Sequence, residues 1–244
     1  MTRRGRVWLF LAGAAVFAAL FALACAGLPG FGGGFHPYGE RAVRAALSRH
    51  TANAVSSVNF DQRAFDTLGE ETILFAAVLG AVVLLRRAPD EEITRPHPVR
   101  VPARVRGYGL ALLPVALVTG LYVVAHGQLS PGGGFQGGVV VATALHLLYV
   151  AVDYPALERI RPLGPYEVGD AVAEGAYLVT GLAAMLAGSA FLANVLPTGT
   201  FNTLASGGTV PVLNAAVGME VACGVVVLLA RFLDQAVEIA PEGA

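Results

Sequence analysis

Carboxylates and imidazoles stand at several places in this chain where the flanking sequence is almost wholly apolar. In "FDTLGEETILF", Asp66, Glu70 and Glu71 open an apolar run, and Asp66 and Glu70, four apart, share one face of a helix. Asp66 can cap a helix, and Glu70 or Glu71 can occupy a first turn, where the macrodipole favours negative charge. Two adjacent acids exceed what capping requires. Glu174 follows Asp170 by four residues where another apolar run begins, again a place for a helix-terminus acid. Glu220 is different: within "VLNAAVGMEVACGVVVLLARF" it lies well inside the run, with no basic residue within a helical turn. An ionisable side chain at membrane depth is costly and marks a functional position by default. Burial disfavours a lone charged carboxylate unless a cation is near, and a carboxylate that trades a proton for a cation is the minimal machinery of coupled exchange. His126 ends one apolar run and His146 lies inside the next. Each can relay protons near neutral pH or simply hydrogen-bond a backbone carbonyl.

Between those histidines the sequence reads "HGQLSPGGGFQGGVVVATALH", with six glycines from Gly127 to Gly138. A phosphate-binding loop would need Lys-Ser or Lys-Thr after the glycines, and Gln136-Gly137-Gly138 supplies neither, so nucleotide binding is not expected. Pro131 with Gly132, Gly133 and Gly134 makes a tight turn, but a turn alone seldom needs so many glycines. Missing side chains let another helix come very close, or leave backbone groups free to face water or an ion. Close packing is the favoured reading. Phe135, alone among Gly132–Gly134 and Gly137–Gly138, is then a packing knob or plug.

The elements that must carry these residues follow from composition. The chain of 244 residues is 55% hydrophobic and only 14% charged, against about 25% charged in an average soluble domain; its mean hydropathy is +0.64. Lipid is the solvent this surface suits, and the net charge of −1 gives no reason to expect nucleic acid. A spanning helix needs about 20 apolar residues because its backbone must pair internally. Six runs qualify: Val7–Leu28, Thr67–Leu85, Tyr108–Ala125, Phe135–Val152, Ala171–Val195 and Val212–Phe232. The fold class expected is an all-α, polytopic membrane protein of about six transmembrane helices. The first run has the basic start of a secretory signal but exceeds the usual h-region, so a retained helix is expected. Cys25 and Cys223 both sit in apolar runs and read as packing residues.

All sixteen basic residues are arginine. With the N-terminus inside, the inner segments hold Arg3, Arg4, Arg6, Arg86, Arg87, Arg95, Arg100, Arg104, Arg106, Arg159, Arg161 and Arg231, and the outer ones only Arg41, Arg44, Arg49 and Arg63. This bias places both termini in the cytoplasm. The Arg/Pro-rich stretch 89–107 reads as a cytoplasmic linker between a two-helix segment, 1–88, and a four-helix segment, 108–244.

The stretch from His126 to Ala151, followed by "FLANVLPTGTFNTLASGGTVPVLNAAVGMEV", resembles the MnhB component of Mrp-type (Mnh) multisubunit sodium/proton antiporters over about Gly107 to Leu233. "FDTLGEETILFAAVLGAVVLLRR" is similar to the MbhE-like segment found at the end of the large MnhA-type antiporter component and as a separate subunit of membrane-bound hydrogenases. The chain thus resembles a fusion of an MbhE-like two-helix unit with an MnhB-like four-helix unit. The resemblance implies that Asp66 and Glu70 match the acidic pair of the Asp-Thr-Leu-Gly-Glu motif, and that Pro131, Gly132, Gly133, Gly134, Phe135, Gly137 and Gly138 match the MnhB turn. One departure lies before the motif, where Gln62-Arg63-Ala64-Phe65 replaces the usual Tyr-Arg-Gly-Phe.

The function implied is that of a membrane subunit of a multisubunit monovalent cation (Na+)/proton antiporter in a bacterial or archaeal cell membrane, not an enzyme. Its ion path is expected to draw on Asp66, Glu70, Glu71, Glu174, Glu220, His126 and His146. No cofactor is expected, Na+ and H+ being the transported ions, and the residues identify no metal site. Partners are expected to be large proton-channel-like subunits, small membrane subunits and the bilayer. Two alternatives stand beside this: a structural subunit that touches no ion, and a membrane-module subunit of a complex I-like or membrane-bound hydrogenase complex. No Cys motif here could ligate an iron–sulfur cluster, so redox chemistry would belong to partners.

Overall fold

The computed structural model describes residues 3–28, 34, 36–86, 101–151 and 163–233. Those residues are helical with no strand among them. The helices are α1 (Arg3–Ala26), α2 (Pro37–Ser48), α3 (Ala54–Ser57), α4 (Ala64–Leu84), α5 (Ala103–Ala125), α6 (Gly134–Ala151), α7 (Leu163–Leu186) and α8 (Val210–Leu233), with a π-helical turn, Val58–Gln62, leading into α4. By length and composition four of them can cross a membrane: Arg4–Ala26, Ala64–Leu84, Ala103–Ala125 and Val210–Leu233. Gly134–Leu148 is a shorter apolar helix. The 24-residue α7 is as long as α8 but carries Glu167, Asp170 and Glu174.

The expected all-α membrane fold is therefore present, with two boundaries corrected: α5 begins at Ala103, inside the stretch expected to be linker as far as residue 107, and the fifth span is shifted. The span expected at Ala171–Val195 is instead Leu163–Leu186. Its start includes the polar "LGPYEVGD", with Pro165 in the first turn, where proline's missing N–H costs nothing. It ends where Gly188 turns left-handed (φ 78°) and Ser189 N–H donates back to Ala184 O at 3.0 Å. Apolar content alone ran past that stop. Glu174 consequently lies in the middle of α7 rather than at a helix terminus. The linker residues 89–100, the arginines at 87, 95, 100, 159 and 161, and Val152 lie outside the described residues.

Two compact units are present, residues 1–40 and 41–244. In the first, α1 exposes apolar side chains all round, Trp8, Phe10, Phe17 and Phe21 among them. In the second, α4 belongs to the same body as α5 to α8. Its hub is α8, which packs against α4, α5, α6 and α7 and is the most buried of the spans. Phe60, Leu68, Tyr177, Leu213, Val217 and Val221 form the principal core.

The glycine-rich turn brings backbones together. Gly132 and Gly133 take positive φ (135° and 149°), and α6 starts at Gly134. A Cβ on Gly134 would lie 2.6 Å from Asn214 O, and one on Gly138 would lie 2.8 Å from Gly218 O, both on α8. On the opposite side a Cβ on Gly137 would sit 2.7 Å from Gly120 O of α5. These are the close helix approaches that small residues permit inside a bilayer. Asn214 fastens the junction: its Oδ1 accepts from Gly134 N–H at 2.9 Å, and its Nδ2 donates to Ser56 Oγ at 2.8 Å. Asn53 caps α3 through Val55 N–H (3.1 Å), while its Nδ2 donates to Gly127 O and Ser130 O, each at 2.8 Å.

Candidate functional site

The buried face of α4 carries Ala64, Thr67, Leu68, Glu71 and Val78, a three-and-four spacing that lines one side of a helix. Glu71 thus falls on the inward stripe, fully buried, while its neighbour Glu70 points outward and is exposed. On α7 the buried positions Asp170, Ala173, Glu174, Tyr177, Gly181 and Ala184 repeat the same spacing. Glu220, fully buried, comes from the middle of α8. Packing of α4 and α7 on α8 brings these acids together.

Glu71, Glu174 and Glu220 are electrostatic neighbours in the interior between α4, α7 and α8. Asp170 completes the row beside Glu174. Thr72 Oγ1 lies 2.9 Å from Glu174 Oε1 and 2.7 Å from Leu68 O, so one proton serves two acceptors. Both oxygens of Glu71, both of Glu220, Oδ1 of Asp170 and Oε2 of Glu174 are buried without a hydrogen-bond donor. No ion pair reaches any of the four among the described residues. Arg63 pairs with Asp66, and Arg231 pairs with Glu167. Tyr177, fully buried at the Glu71 end, spends its hydroxyl proton on Ala64 O at 2.9 Å.

Neighbouring carboxyls buried without donors are costly as bare anions, and such a site favours a bound proton or a cation beside it. Among the described residues no three His, Cys, Asp or Glu side chains converge as a metal cage. Asp170 and Glu174 lie one turn apart on α7, and Glu71 and Glu220 reach the same interior from α4 and α8.

The residues expected from sequence divide accordingly. Glu71, Glu174 and Glu220 meet in this interior. Asp66 and Glu70 do not: Asp66 lies in the first turn of α4, exposed and paired with Arg63 one turn earlier. His126 caps α5, with Nδ1 3.0 Å from Tyr122 O and its ring stacked on Tyr122 at 3.9 Å. His146 is half-buried on α6, which contributes no acid. Gly132, Gly134, Gly137 and Gly138 serve close packing, Pro131 is exposed at the turn, and Phe135 packs against the principal core. Asp170 and Tyr177 were not among the expected site residues. Their signal was present in "EVGDAVAEGAY", where Glu167, Asp170, Glu174 and Tyr177 fall on one helical stripe.

Comparison with known proteins gives a consistent set of relatives. A family model described as a domain related to the MnhB subunit of Na+/H+ antiporter matches residues 105–227. An uncharacterised protein of Methanocaldococcus jannaschii is 30% identical over 203 residues, covering 70% of this chain and 73% of that one. The MnhB-type component of the Na(+)/H(+) antiporter of Alkalihalophilus pseudofirmus is 31% identical over 80 residues, 32% of this chain and 54% of that protein. Among solved structures, a chain of the membrane-bound sulfane sulfur reductase, an archaeal respiratory membrane complex, aligns with TM-score 0.74 and 30% identity over 94% of this chain and 98% of that chain. A chain of the Mrp complex from Dietzia aligns over all of this chain and 27% of that one, with TM-score 0.76 and 23% identity.

Proposed function

Because the chain belongs to the family of domains related to the MnhB subunit of Na+/H+ antiporters, we propose that it is a membrane subunit of a multisubunit monovalent cation/proton antiporter and contributes buried carboxylates to the ion path. It is a multi-pass protein of a prokaryotic cell membrane and works among other subunits of its complex. The observation that carries the transport role is the pairing of Glu71 and Glu220 as buried neighbours, neither of which receives a donor among the described residues. Glu71 and Glu220 alternate between a shared proton and a cation, with Glu174 and Asp170 passing the charge along α7. Asp66 and Glu70, on the outward side of α4, serve contacts with neighbouring subunits, and the MbhE-like assignment of residues 1–88 rests on their motif. Both termini are placed in the cytoplasm by the arginine distribution. The test is Na+/H+ exchange in vesicles containing the whole complex. Glu71→Gln and Glu220→Gln should each lower exchange by at least about tenfold, since neutral amides cannot trade a proton for a cation. Unchanged exchange in both would leave a scaffold.

A second reading has one observation in its favour: the near full-length alignment with a chain of an archaeal respiratory membrane complex. There the same carboxylates would serve a redox-driven complex. Purifying the intact assembly and assaying its other subunits for iron–sulfur clusters decides between the two.

A further inference from the structure

A cavity of about 200 Å³ opens between α4, α7 and α8, walled by apolar side chains such as Phe75, Val78, Val82 and Val227, with Glu167 and Asp170 as its polar members. Asp170 is only 4% exposed, and its Oδ1 is buried without a hydrogen-bond partner. Room for that oxygen is made by Gly224, where a Cβ would lie 3.1 Å from Asp170 Oδ1 and 3.2 Å from Val78 Cγ2. At the rim, Arg231 near the end of α8 pairs with Glu167 at 2.5 Å, the two side chains 25% and 38% exposed. Glu167, Asp170 and Glu174 descend α7 at steps of three and four residues, about 4.5 and 6 Å along the axis. The cavity therefore leads from an ion pair at the rim to the first of the buried acids, and its volume holds about six waters at roughly 30 Å³ each.

We propose that this cavity is the entrance vestibule by which a hydrated monovalent cation reaches Asp170, and that Arg231 is a built-in competitor, occupying Glu167 as a fixed counter-charge at the mouth. With Glu167 neutralised, one uncompensated carboxylate faces the cavity, which suits a single positive charge. The proposal rests on the antiporter reading, and it assigns Arg231 and Glu167 opposite electrostatic effects on the incoming ion.

That opposition supplies the test, made on the whole complex in vesicles with Na+ as the probe. Arg231→Gln leaves Glu167 bare and should lower the half-saturating Na+ concentration by about threefold or more; Glu167→Gln leaves Arg231 bare and should raise it by a similar factor. A merely structural pair predicts that both variants, each breaking the same bridge, move in the same direction, and that result, or no shift in either, overturns the vestibule. Should these variants fail to assemble, Ala171→Cys in a Cys25→Ser, Cys223→Ser background decides. Its cavity-lining thiol should react with a small cationic methanethiosulfonate and be protected by Na+; an unreactive thiol, or one that Na+ does not protect, overturns the proposal. Failure of the antiporter reading is distinguishable, since silent Glu71→Gln and Glu220→Gln would sink it directly, whereas their inactivity with same-sign rim variants sinks the vestibule alone.

Discussion

Glu71 of α4 and Glu220 of α8 are buried neighbours with no exposure to solvent, and among the described residues no hydrogen-bond donor reaches any of their four carboxyl oxygens. They arrive from helices separated by most of the chain, and Leu68 and Val221 of the same two helices belong to the principal core.

A dry carboxyl that holds a proton is the usual target of hydrophobic carbodiimides. Dicyclohexylcarbodiimide should therefore modify Glu71 or Glu220 in the purified complex, with Na+ slowing the reaction, while Glu70 and Asp66 on the exposed side stay unmodified. Peptide mass spectrometry reads the sites. Modification confined to the exposed acids would contradict the buried pairing.

Removing the pair should stabilise the subunit while destroying exchange. Replacing buried charges by apolar groups of similar volume is often neutral or stabilising by about 1–4 kcal/mol, and among the described residues the pair has no counter-charge. The double variant Glu71→Met/Glu220→Met should unfold at a temperature no lower than the wild type, and higher if the site is dry. A clearly lowered midpoint in detergent would mean that the acids are structural ties.

Glycine positions should separate by what surrounds them. Gly134→Ala and Gly138→Val push a side chain into the backbone of α8 and should cost about 1–3 kcal/mol each, the usual penalty of overpacking. Gly175→Ala, with nothing within 4 Å of a new Cβ, should leave the melting midpoint unchanged or slightly raised, alanine being the better helix former. Equal effects at all three positions would refute the packing account of the turn.

Asn214 and Asp66 make a second contrast. Asn214→Ala strands Gly134 N–H and Ser56 in a buried junction and should cost about 1–3 kcal/mol. Asp66→Asn breaks only the exposed pair with Arg63, with side chains 60% and 51% exposed, and should cost under about 0.5 kcal/mol. Thermal denaturation of both variants in detergent checks the ranking.

The helices were legible because a span of about 20 apolar residues has few other uses, and the turn because Pro131 and its glycines suit a sharp reversal with close helix contact. Glu220 was legible for the same reason, an acid in mid-run. Glu71 was harder to separate from Glu70: adjacency hides which of two acids faces inward, and the three-and-four stripe through Ala64, Thr67, Leu68 and Val78 resolves it only once the inward face is known. The family motif drew attention to Glu70, which the isolated chain leaves on its outer side. Asp170 was discounted because apolar content placed the helix start near it; the helix begins at Leu163, and what looked terminal is interior. Pairings such as Asn214 with Gly134, eighty residues apart, leave no trace in local pattern.

One consequence concerns inheritance. Glu71 is encoded before Arg86, whereas Glu174 and Glu220 are encoded after Val101, so neither stretch of gene specifies the pair by itself. A lineage in which the two stretches travel as separate genes keeps the juxtaposition only if both products enter the same assembly, and loss of either abolishes it at once.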